Sequence, residues 1–182
     1  MARGDGGDLP AGKEDFPVTG VTWHQAKIFA ERLSNESTDS SRFRLPTEAE
    51  WEYACRAGDS VDEVAYTSEA VGRAWHNTAG LRLSEAKPGG EFPPNRFGLH
   101  DMLGNVWEWA EDVYEPDAYR RHALHNPIRQ VSRGESAAVP RVIRGGSFRS
   151  EPTDMRCANR SRYDANSSLQ QIGLRLVRKE KE

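Results

Sequence analysis

The turn and strand Leu103-Gly-Asn-Val-Trp-Glu-Trp109 crowd together side chains that could do chemistry. Asn105, Val106 and Glu108 bring an amide oxygen, a backbone carbonyl and a carboxylate into one short run after Gly104. Hard oxygen donors of this kind are what a calcium ion takes. In an extended strand Trp107 and Trp109 fall on one face and Glu108 on the other. The plain alternative is that Asn105 caps a turn and Glu108 pairs with an arginine. Calcium held here would be structural, bound by the folded chain alone.

The soft donors are Cys55 and Cys157. Two thiols do not make a disulfide framework, and each reads as a small buried residue. Of the histidines, His122 and His125 are three apart in a charged stretch with no third ligand in view, which reads as a solvated loop. Arg144-Gly-Gly-Ser-Phe148 lacks the Lys-Ser/Thr end of a phosphate loop. Ser147 has no His and Asp partners at motif spacing.

The elements that must position these groups are short. Thr22 and Gln25 fit a capping box opening a helix, with Ala26, Phe29, Ala30 and Leu33 at helical spacing. Thr47 and Glu50 fit a second one, with Trp51 and Ala54 in its buried stripe. Phe43–Leu45, Arg141–Arg144 and Ile172–Val177 read as strands. Between Gly58 and Pro94 periodicity fades, and 115–140 reads as a variable insertion. Residues 1–15 form a Gly-, Asp- and Lys-rich lead-in, 16–178 one domain, and 179–182 a charged tail.

The 182 residues suit one domain with a core. No apolar run approaches the roughly 20 residues of a membrane helix. No apolar signal segment opens the chain, so the default address is cytoplasmic. Net charge is −3, but residues 141–182 hold ten Lys/Arg against five Asp/Glu. That basic third could favour an anionic partner, against the plainer reading that its arginines are used internally; no specific nucleic-acid partner is expected.

Gly104-Asn-Val-Trp-Glu-Trp109 resembles a hallmark of the formylglycine-generating enzyme, or sulfatase-modifying factor, family. Pro17-Val-Thr-Gly-Val-Thr-Trp23, Arg44-Leu-Pro-Thr-Glu-Ala-Glu-Trp-Glu-Tyr-Ala54, and Arg144-Gly-Gly-Ser147 with Gly173-Leu-Arg-Leu176 agree with it. The resemblance implies an α+β, C-type-lectin-like fold with two helices, short strands and much irregular loop. It also implies a structural calcium site at Asn105, Val106 and Glu108, and a second at Asn77 and Thr78, with Glu85 the lone acid of its partner loop. In the enzymes of this family two nearby cysteines after the Gly-Gly-Ser motif bind copper, a metal suited to thiolates. Cys157 matches the downstream one and the upstream one is absent. Pro152 or its neighbours stand where that thiol is needed, and Cys55, on an early helix, is not expected to replace it. No copper site is therefore expected. Catalysis by a metal-dependent oxidase through Cys157 and an unidentified partner is the alternative to a non-catalytic role.

The C-terminal third also resembles variable proteins of diversity-generating retroelements, in which a lectin-like surface is diversified. Phe148, Arg149, Asp154, Asn159, Ser161, Tyr163, Asn166 and Gln170 would line such a face. Tyr, Asn, Ser and Arg supply amphipathic area and adaptable hydrogen bonds, as in antibody loops. The leading expectation is a ligand- or protein-binding module. An accessory domain of a larger protein is the remaining one.

Overall fold

A computed structural model describes residues 13–58, 85–90, 93–118, 139–151 and 154–180. In chain order the elements are α1 (Trp23–Glu36), β1 (Arg42–Arg44), α2 (Glu48–Arg56), β2 (Trp107–Val113), β3 (Pro140–Arg144), β4 (Ser161–Asp164), β5 (Ile172–Leu174) and β6 (Val177–Lys179). Both capping boxes form, at Thr22 with Gln25 and at Thr47 with Glu50. Each satisfies two N-terminal groups reciprocally and fixes where its helix begins. In α1 it is Trp23, Ala26 and Ala30 that are buried, while Phe29 and Leu33 stay half-exposed. Helix α2 ends at Ala57, whose φ of +48° turns the chain out of the helix.

One sheet has the order β4-β3-β2-β5, and a second pairs β1 with β6. Strand β2 lies antiparallel to β3 and parallel to β5. The expected strand Ile172–Val177 is in fact two, β5 and β6, in different sheets. The chain leaves the larger sheet at Arg175 and Leu176, which frees the Arg175 guanidinium to reach Glu108.

Alternation in β2 divides the core. Trp107 and Trp109 pack with Trp23, Ala26, Leu45, Ile143, Ala165 and Ile172 in one cluster. The Glu108 side meets a second cluster of Trp51, Cys55, Met102 and Cys157. The indole N–H groups of Trp23, Trp109 and Trp51 donate to Ala110 O, Val21 O and Glu108 Oε2 at 2.8, 3.0 and 2.7 Å, so these large rings are buried without orphaned donors. Gly173 lets the segment before α1 close over the sheet. A Cβ there would lie 2.5 Å from Val18 O, closer than side chains approach backbone.

Candidate functional site

Glu108 is buried on β2 opposite Arg144 in register. Its carboxylate accepts from Trp51 Nε1 at 2.7 Å and from Arg175 Nη2 and Nε at 2.8 and 3.0 Å. That carboxylate holds the Arg175 guanidinium above its ordinary pKa, against the opposing effect of burial. Asn105, with φ of +61°, accepts from Lys87 N and donates to Lys87 O, both at 3.1 Å. It thus ties the 85–90 segment to the turn before β2. As they stand, these donors do not fit calcium. Both Glu108 oxygens are engaged by protein, a guanidinium neighbours them, and the Asn105 amide oxygen holds a backbone N–H. Among the described residues no group of three or more His, Cys, Asp or Glu is placed to hold a metal ion. Asn77 and Thr78 lie outside the described residues, as do His122, His125 and Pro152.

Helix α2 turns one face toward the C-terminal third. Glu48, Trp51, Glu52 and Cys55 repeat at three- and four-residue spacing, which stacks them on one side. Glu48 receives Arg160 Nε and Nη2 at 2.5 and 2.7 Å, a bidentate pair. Glu52 receives Arg144 Nη2 at 2.5 Å. The Arg144 side chain is 0% exposed and also donates to Cys157 O, at 2.8 Å, and to Asn159 O. Asp112 accepts from Glu48 N at 2.7 Å.

At the end of this stripe Cys55 is joined to Cys157 in a disulfide, with Cα atoms 5.6 Å apart across 102 residues of sequence. This corrects the reading of both cysteines as separate core thiols. The sulfur facing Cys157 is supplied by the early helix that had seemed too remote, because α2 lies along the end of β3 and the 154–160 segment. While the bond stands, neither sulfur offers the thiolate that a soft metal needs.

The eight residues expected to form one exposed face divide. Phe148 is 2% exposed and belongs to the interior; it is withdrawn from the face. Its backbone N–H donates to Asn105 O at 2.8 Å, which draws the ring inward with the turn. Arg149, Tyr163, Asn166 and Gln170 are exposed, and Asp154, Asn159 and Ser161 are half-buried. Asn159 is partly structural, since its side-chain amide donates to Asp154 O at 2.7 Å. Ser161 and Tyr163 share one side of β4. Asn166 starts the turn beyond it, with its N–H on Asp164 Oδ1 at 2.8 Å. Gln170 Oε1 accepts from Thr19 at 3.2 Å. Arg162 is also exposed on β4, on the side opposite Ser161 and Tyr163, with its guanidinium 4.8 Å from the Tyr114 ring centre.

The match to known proteins covers nearly all of this geometry. Residues 2–180 match the sulfatase-modifying factor enzyme 1-like domain. The chain belongs to that family. It is 36% identical over 171 residues to the serine/threonine-protein kinase pkn1 of Chlamydia caviae, covering 93% of this chain and 25% of that protein. It is 34% identical over 169 residues to the formylglycine-generating enzyme of Streptomyces coelicolor, covering 86% of this chain and 49% of the enzyme. It thus spans a quarter to a half of the length of these relatives. The structure of Treponema denticola variable protein 1 superposes with a TM-score of 0.68 at 23% identity, over 93% of this chain and 74% of that one. That likeness is one of fold. The α+β, formylglycine-generating-enzyme-like class expected from the motifs is therefore established. No helix among the described residues is long and apolar enough to cross a membrane.

Proposed function

We propose that the domain is a non-catalytic recognition module of the sulfatase-modifying factor family. It binds a protein or small-molecule ligand through Arg149, Tyr163, Asn166 and Gln170, with Asp154, Asn159 and Ser161 at the margin. One observation carries the reading: Cys157 is committed to Cys55. The thiolate that an oxidase would use is spent on structure, while polar and aromatic side chains project from a rigid base. The likeness to the variable protein is one of scaffold, and the choice of face rests on the exposure of these side chains. Diversification itself is tested in the neighbouring DNA. A near-identical repeat differing at adenines, beside a reverse transcriptase, is the expected finding; its absence removes that part of the proposal.

Binding is tested with peptide and glycan arrays, using wild type and a variant carrying alanine at Arg149, Tyr163, Asn166 and Gln170. Binding by wild type that is lost in the variant, at equal melting temperature, is expected. A wild type that binds nothing, or a variant that binds equally well, defeats the proposal. A second reading, an accessory domain docked beside another, is favoured by the Chlamydia kinase, of which the matched part is only a quarter.

A further inference from the structure

Among the described residues, ion pairs tie the C-terminal third to α2, Glu48 with Arg160 and Arg144 and Glu52 with Arg144, and these form as soon as the parts meet. A further link, Cys55–Cys157, forms only when an oxidant removes two electrons. Cys157 sits in a turn whose Asn159 N–H donates to Arg156 O at 2.9 Å, and β4 begins two residues further on. The position of Cys157 therefore sets the path of the chain into β4. The residues are 4% and 2% exposed, so an oxidant reaches them only while the segment is open. The larger cluster, which holds β2 and β3 to α1, contains neither cysteine.

We infer that the Cys55–Cys157 bond is an oxidation-dependent clasp on the candidate face: residues 154–164 reach their final, protected form only after the two thiols are joined. The inference rests on the reading that β4 belongs to the binding face. Closure is thiol–disulfide exchange. Two cysteine thiols and one low-molecular-weight disulfide give one Cys–Cys bond and two small thiols, so two protons and two electrons pass to the small disulfide. The clasp makes assembly of the face depend on an oxidising environment, whereas the tryptophan core forms without one.

Amide hydrogen exchange read by mass spectrometry tests this on three forms of the full chain: oxidised, reduced with a phosphine, and Cys55→Ala/Cys157→Ala. Residues 154–164 should lose protection in the reduced protein and in the double variant, while β2, which does not pair with β4, keeps its own. A low-molecular-weight disulfide should restore protection to the reduced protein and not to the variant. Unchanged protection of 154–164 in the double variant overturns the inference. So does equal loss across β2, which makes the bond a general staple. The readout needs no ligand, so failure on the arrays together with the expected exchange pattern sinks the binding reading and leaves the clasp standing.

Discussion

Strands β2 and β4 belong to one sheet and could hardly be used more differently. All but one of the β2 residues are buried, and its polar side chains Glu108, Glu111 and Asp112 each bind a partner from elsewhere in the chain. In β4 three of four residues are exposed, and its neighbouring turns carry Asn166 and Gln170 outward. Buried polar groups must be matched, because each unmatched one costs about 1–3 kcal/mol. Exposed ones carry no such demand and can be exchanged. The fold thus concentrates its buried, matched polar groups on the inner strand and leaves the edge strand with mostly exposed side chains.

Substitutions can break this contrast, beginning with the largest effect. Arg144→Ala should remove about 3–5 kcal/mol of stability in denaturant titration, because it deletes a fully buried guanidinium that bonds Glu52 and two backbone carbonyls and lies 3.6 Å from Glu48. A loss under 1 kcal/mol would show that the buried side is not so strictly matched. Cys55→Ala/Cys157→Ala should cost about 2–4 kcal/mol by the same measurement, since a 102-residue loop is released in the unfolded chain. Trp51→Phe keeps most of the ring but deletes the donor to Glu108, and should cost about 1–3 kcal/mol.

Two smaller effects sharpen the comparison. Glu50 bonds Arg44, which holds its carboxyl below the ordinary value near 4.5. A carboxylate with a lowered pKa stabilises the fold at neutral pH, and that contribution fades as pH falls through and below the ordinary value. Glu50→Gln should therefore lower the melting temperature at pH 7, and the gap to wild type should narrow as pH falls below the ordinary carboxylate value. The pair is about two-fifths exposed, so the effect should stay within about 1 kcal/mol. Tyr163→Ala, at 39% exposure, should change stability by less than about 0.5 kcal/mol while weakening array binding. A large stability loss there would erase the distinction between the two strands.

Helix starts were legible because capping is local: Thr22 with Gln25 and Thr47 with Glu50 can be read within four residues. The two faces of β2 were legible for the same reason, since strand alternation separates Trp107 and Trp109 from Glu108. The disulfide was not, because it depends on α2 lying against a turn 102 residues away. Phe148 misled because it follows a glycine pair and precedes exposed Arg149. Its burial is set by the turn at Gly145 and Gly146, both at positive φ, where a Cβ on Gly146 would come within 2.8 Å of Met155. The partners of Asn105 and Glu108 were hidden too, since Lys87 and Arg175 come from distant segments. Comparing melting temperature with and without a chelator settles whether calcium can displace those partners. No shift is expected. A drop that is lost in Asn105→Ala would place the ion at Asn105, Val106 and Glu108 after all.

The most direct test is anaerobic copper(I) titration of the purified, oxidised protein, followed by oxygen uptake in the presence of a cysteine-containing peptide. With Cys157 held by Cys55, no tight stoichiometric copper and no oxygen consumption are predicted. One equivalent of tightly bound copper, with oxygen uptake abolished in Cys157→Ser, would contradict the account.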